Sequence, residues 1–402
     1  MKQIIIALLS FILVILVRTS LATTKYILAK GGNYYDIVAL GAKPDPNIDS
    51  SNALKVAWKS ACGSLGRSTI FIPQGRFLVR NAIKFSGKGC QTSGITFIIK
   101  GTIAAPKDFR VLGNSKTWVL FEDAYDVTIS GGVFDGEGAG LWDCKRFGKG
   151  SCPRGVTTLG FINSMNIIVN GVTSLNSQLF HMVFNGCKNV KVQGAKISAS
   201  GDSPNTDGIH VQKSTGVTIL NSHIATGDDC ISIGPGATNL WIQEITCGPG
   251  HGISIGSLGK ELNEAGVQNV TVKMTTFTNT QNGVRIKSWG RPSSGYVRNI
   301  VFQQLTMVHA QNPIIIDQNY CPSHKGCPNK VSGVRVSNVT YKDIRGSSAT
   351  PIAVKLDCSS KYHCSGITME DINLSHNNKP SSSSCTNSVG TTFGVVQPNG
   401  CL

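Results

Sequence analysis

The chain has 402 residues, 40% of them hydrophobic and only 15% charged, with 45 glycines and a formal net charge of +16. That balance excludes a disordered chain and leaves either two or three average domains or one long repetitive one. Lys and Arg form no runs and no aromatic–basic stripe, which argues against nucleic acid as the partner.

At the amino terminus Lys2 precedes an apolar run from Ile4 to Val17, followed by Arg18 and the small-residue stretch Ser20-Leu21-Ala22. The pattern predicts a cleaved secretory leader over residues 1–22, its apolar run too short for a comfortable membrane span. A single mature domain is expected over residues 23–402, monomeric, secreted to the extracellular space and cell wall, with no membrane span. Lys2 and Arg18 leave with the leader, so the charge of the mature chain is +14. A basic protein outside the cell meets anionic polysaccharides, and polyuronides are the expected partner.

Asp49-Ser50-Ser51-Asn52 precedes Ala53-Leu54-Lys55-Val56-Ala57-Trp58 and predicts a capped helix that covers the open amino-terminal end of a stack of coils. Beyond it one frame recurs: a polar residue or Gly, an aliphatic residue, any residue, another apolar one. It begins at Ile95, Val127, Ile167, Val190 and Val217, then at Leu240, Val270, Ile300, Val334 and Ile367, at spacings between 23 and 40 residues. Repeats of this length with alternating apolar residues and almost no helical periodicity are the signature of a β-solenoid. The Asn or Gly before each copy suits a left-handed corner. A second frame, from Met182/Phe184 through Ile209/Val211, Ile231/Ile233, Ile253/Ile255, Val284/Ile286 and Ile314/Ile316 to Ile352/Val354, supplies a further wall of each coil. The fold class expected is all-β, a right-handed parallel β-helix with a short amino-terminal capping helix. The Ser-rich segment after Asn377 reads as an irregular tail.

The second wall carries the chemistry. Asp207, Asp229, His251 and Asn282 each stand two positions before the first apolar residue of a strand, which predicts a column about 4.8 Å per coil, with Asp228 beside it. His210, Ser232, Ser254 and Arg285 stand one position after that residue, and Lys287 two further on. Simple alternation points Asp207 and Asp229 inward. Buried unpaired carboxylates are costly, so the corner is expected to break the alternation. Crowded carboxylates split their pKa values, as glycosidic hydrolysis requires of its acid and base. Arg285 and Lys287 suit a substrate carboxylate. Taken singly, an Asp at a corner is a turn residue and Arg285 and Lys287 a solvated face; their convergence on adjacent coils is what carries weight.

Thirteen cysteines suggest up to six disulfides and one thiol, with Cys144/Cys152, Cys230/Cys247, Cys321/Cys327, Cys358/Cys364 and Cys385/Cys401 as short-range pairings. Cys321 to Cys327, with His324 between, has no second ligand pair at zinc-like spacing and reads as a disulfide; no metal or cofactor is expected. Sequons at Asn269, Asn338 and Asn373 are compatible with secretion and a glycoprotein.

Asn205-Thr206-Asp207, Gly227-Asp228-Asp229, Gly250-His251-Gly252 and Arg285-Ile286-Lys287 together resemble the four signature motifs of the polygalacturonases, glycoside hydrolase family 28, in the family's order. The resemblance runs from about Tyr35 to the carboxyl terminus and is strongest to plant pollen exopolygalacturonases. It implies metal-free, inverting hydrolysis of α-1,4-linked, de-esterified galacturonan, with Asp228 as general acid and Asp207 and Asp229 positioning and activating water. His251 would support the protonation state, Arg285 and Lys287 would hold a galacturonate carboxylate, and Asn205 and Tyr320 would contact substrate. The segment Tyr35–Asp45 departs from the family in lacking a glycine after an aspartate. Exo action, endo action, a polyuronide lyase and a non-catalytic pectin-binding protein on the same fold are the alternatives to separate.

Overall fold

The computed structural model describes residues 32–113, 115–148, 150–322 and 325–402. The leader read over residues 1–22, and His324 of the Cys321–Cys327 loop, lie outside the described residues.

The backbone forms a right-handed parallel β-helix. One sheet, of eleven strands, runs from Ile83–Ser86 to Ser382–Thr386 and is parallel throughout. The remaining strands wrap the other sides of each coil, parallel except where Ser375–His376 meets Lys379–Pro380. Inward residues stack in register: Phe121, Phe161 and Phe184 lie on consecutive coils with ring centroids 5.0 Å apart. Each coil thus buries apolar surface that only its neighbours can cover.

The corners are built as the sequence suggests. Asn166, Asn189, Asn239, Asn269, Asn299 and Asn338 all have φ between 54° and 58°. A side chain that tolerates the left-handed region and hydrogen-bonds locally is what such a position favours. Their amides also form a ladder, Asn269 Nδ2 donating to Asn239 Oδ1 at 3.0 Å and Asn338 Nδ2 to Asn299 Oδ1 at 3.3 Å. Two of the three sequon asparagines are therefore ladder members.

Two frame assignments are corrected by the register. The copy beginning at Val334 is displaced: Ile300 and Phe302 lie beside Val339 and Tyr341, which lie in turn beside Ile367 and Met369. Asn338 is the true corner, and Val334 belongs to the preceding turn of chain. Likewise Ile314 and Ile316 pair with Val354 and Leu356, leaving Ile352 exposed. In both places adjacent apolar residues satisfy the local pattern in two phases, and packing on the coil below selects one.

The expected capping helix is α1, Ser51–Gly63. Asp49 Oδ1 accepts from Ser51 N at 3.0 Å, and Trp58 packs against Phe85, Phe97 and Phe121. A second helix, α2 (Ala139–Phe147), was not expected; its glycine-rich start gives no helical signal. The carboxyl-terminal segment is not irregular. Ser382–Thr386 and Ser388–Gln397 complete a last coil, because unpaired backbone groups of the coil beneath template strands whatever their side chains. All five expected disulfides form, joined by Cys62–Cys90, and Cys187 is a buried free thiol. Among the described residues no helix is long and apolar enough to cross a membrane.

Candidate active site

The four motifs meet on the outer face of the eleven-stranded sheet. Ile209, Ile231, Ile253 and Val284 stack in register, and so do His210, Ser232, Ser254 and Arg285 beside them. The isoleucines and Val284 point into the core, so the second row faces outward. Asp229 joins that outward row, although it lies two residues before inward Ile231. Its Oδ1 accepts from Ser254 Oγ and from Arg285 Nη2, each at 2.8 Å, and its Oδ2 accepts from Lys287 Nζ at 2.8 Å. The corner does break the alternation.

The column is shorter than expected. Asp207 and Asp229 are both buried, at 6% and 1% exposure, but the His251 ring leaves the column for Asp228. His251 Nδ1 lies 3.1 Å from Asp228 Oδ1, which also accepts from Asp229 N at 2.8 Å. Asn205 Nδ2 donates to Asp228 Oδ2 at 3.4 Å. Of the three carboxylates, Asp228 lines the open groove, which holds about 680 Å³ and is bounded also by Asn205, His251, Arg285 and Tyr320. A recess of about 630 Å³ beside Lys330, Arg335 and Lys361 holds none of the cluster.

Backbone packing explains the motif glycines. A Cβ on Gly227 would lie 2.1 Å from Ser203 O, and one on Gly252, at φ +85°, would lie 2.1 Å from Asn282 O. Thr206 Oγ1 accepts from Gly227 N at 3.0 Å, so the first motif positions the second. Asn282 Nδ2 donates to His251 O at 3.0 Å and holds the third.

Electrostatics separate the two buried carboxylates. Burial and the proximity of Asp228 and Asp229 push Asp207 well above the usual carboxylate range. Burial opposes ionisation of Asp229 too, but Lys287 and Arg285 outweigh it and hold Asp229 at about 2. His210 is lowered to about 4 by burial; its Nδ1 lies 2.7 Å from Ser232 Oγ, and its ring stacks on Phe180. Asp228, Asp229 and His251 bring ligand atoms within 4.8 Å of one another. A metal fits poorly there, because two of the three side-chain donors to Asp229 are cations.

Tyr320 lies over those same cations, its ring centroid 5.2 Å from Lys287 Nζ and 5.9 Å from Arg285 Cζ. The sequence therefore brings all eight expected residues to one site. Arg285 and Lys287, though, are both bonded to Asp229, and of the two Arg285 also borders the groove. Ser254 was visible as a ladder position but not as a partner of both Arg285 and Asp229. Lys145, Arg154 and Phe180, which bound a second recess beside Asn205, gave no signal. The first two lie in an insertion outside the repeat, and Phe180 falls between frames.

A family model described as "Glycosyl hydrolases family 28" matches residues 62–394. The chain belongs to this family. It is 59% identical to a polygalacturonase of Prunus persica over 92% of this chain and 93% of that protein. It is 42% identical to an exopolygalacturonase of Arabidopsis thaliana over 93% and 84% respectively. Among solved structures, endo-xylogalacturonan hydrolase from Aspergillus tubingensis superposes with a TM-score of 0.79 at 21% identity, covering 90% of this chain and 99% of that one. That last likeness concerns the fold.

Proposed function

We propose that this protein is a secreted polygalacturonase that hydrolyses α-1,4-galacturonosyl linkages of de-esterified pectin with inversion, releasing galacturonate from chain ends. The observation that carries the assignment of roles is that Asp228 lines the groove while Asp207 and Asp229 lie beneath it. Asp228 donates its proton to the leaving glycosidic oxygen. Asp229, kept ionised by Arg285 and Lys287, takes the proton of the attacking water. Asp207, raised by burial between two carboxylates, carries a proton and positions that water as a donor. His251 and Asn205 orient Asp228, and Tyr320 bounds the sugar site with the cation pair behind it.

The leader over residues 1–22, a single catalytic domain over residues 23–402, and a cell-wall location belong to this proposal. They are supported by the basic charge and by the six disulfides, which persist in an oxidising compartment. The test is release of reducing ends from polygalacturonate. Asp228→Asn is expected to lower turnover by about 10²–10⁴-fold with the melting temperature unchanged; near-normal turnover would remove Asp228 from the mechanism. Products carrying an unsaturated uronate, or activity abolished by a chelator, would identify a lyase instead.

A further inference from the structure

We propose that Lys145 and Arg154 form an anion subsite at the amino-terminal end of the groove, which takes the carboxylate of a uronate at the end of the chain. The inference rests on the polygalacturonase function proposed above and says where the substrate is held beyond the cleavage point.

The subsite is built by the insertion between the strands Val133–Asp135 and Thr157–Ile162. Helix α2 leaves the coil there, and Cys144–Cys152 closes the loop at its carboxyl-terminal end. The insertion is fastened to the turns beside the active site. Trp142 Nε1 donates to Ser177 O at 3.1 Å, and Arg146 pairs with Asp202. Lys145 Nζ donates to Arg154 O at 2.8 Å, which fixes the two cationic residues relative to each other.

Between this insertion and the solenoid lies a recess of about 350 Å³, bounded by Lys145, Arg154, Leu179, Phe180 and Asn205. Asn205 is shared with the catalytic groove, where it donates to Asp228, so the recess continues the substrate path. Among the described residues no carboxylate lines the recess, and neither Lys145 nor Arg154 has an acidic partner. Burial, reinforced by Arg154, lowers the pKa of Lys145, and an anion placed there would oppose that shift. Leu179 and Phe180 add an apolar face for a sugar ring.

Position gives the subsite its meaning. The strands that begin at Ile231, Ile209 and Met182 are consecutive coils, so Phe180 lies about 10 Å from Asp228 along the axis. The insertion stands at that point. On this side the groove has room for a chain end, and the two cations read its charge.

The test compares wild type with Lys145→Gln/Arg154→Gln on polygalacturonate and on trigalacturonate, with kcat and KM measured separately. The expected result is a KM raised about tenfold or more with kcat little changed, the signature of lost binding and not of lost chemistry. Arg154→Lys alone should retain most of the affinity. A double variant whose KM stays within about twofold of wild type overturns the subsite while leaving the hydrolase intact. A wild-type protein that releases no reducing ends overturns both. Arg154→Gln alone, altering an exposed side chain, gives the same discrimination should the double variant fold poorly.

Discussion

The two ends of the groove hold their cations differently. Toward the carboxyl terminus Arg285 and Lys287 are nearly buried, sit in coil register and are both bonded to Asp229. Toward the amino terminus Lys145 and Arg154 sit on an insertion, are more exposed and face no carboxylate. The difference separates two uses of positive charge. A cation that neutralises a buried carboxylate sets protonation and holds the site together; a cation left unneutralised in a recess is available to an anionic ligand. A basic balance over the whole chain says nothing about which is which.

Removing the anion at the carboxyl-terminal end is the harshest way to break this contrast. Asp229→Asn leaves two buried cations without their partner and is expected to cost about 3–5 kcal/mol of stability in urea unfolding, along with activity. A loss under about 1 kcal/mol would mean the cations are solvated and free, as at the other end.

The buried pair also sets opposite pH dependences. Asp229, lowered to about 2, stabilises the fold above the unfolded carboxylate value of about 3.9, and that contribution is lost as pH falls through about 2. Asp207 is raised, so its contribution is full below about 3.9 and is lost as pH rises through its folded value. Asp207→Asn should therefore abolish most activity while raising the melting temperature toward neutral pH and flattening its decline above about pH 4. An unchanged pH profile of stability would contradict a raised Asp207.

Cys144→Ser/Cys152→Ser sharpens the other side of the comparison. It frees the loop carrying Arg154 while leaving the solenoid's stacking alone, so KM should move toward that of the Lys145/Arg154 variant with little change in the urea midpoint. The smallest expected effect is on stability in Lys145→Gln/Arg154→Gln, within about 0.5 kcal/mol of wild type. A larger loss would make these cations structural.

The same contrast governs what the sequence makes legible. Asp207, Asp229, Ser254 and Arg285 occupy repeat positions, so counting residues from each inward aliphatic one stacks them correctly. Phase fails where the chain offers neighbouring apolar choices, as at Val334 against Val339 and Ile352 against Val354, because only contact with the adjacent coil decides. Side-chain direction at corners is also beyond periodicity: His251 shares a register position with Asp229 yet turns to Asp228. Lys145 and Arg154 belong to no repeat, and what brings them beside Asn205 is the docking of α2 on Ser177 and Asp202. The last coil is hidden for the opposite reason, since its strands owe their form to backbone templating and not to an apolar pattern.

The most direct test is a time course on polygalacturonate with products separated by size and reducing ends counted. Hydrolysis at chain ends with Asp228 as the acid predicts galacturonate monomer from the first time point, with the polymer shortening slowly. An early ladder of oligomers would contradict chain-end action, and polymer that stays intact with no new reducing ends would contradict hydrolysis.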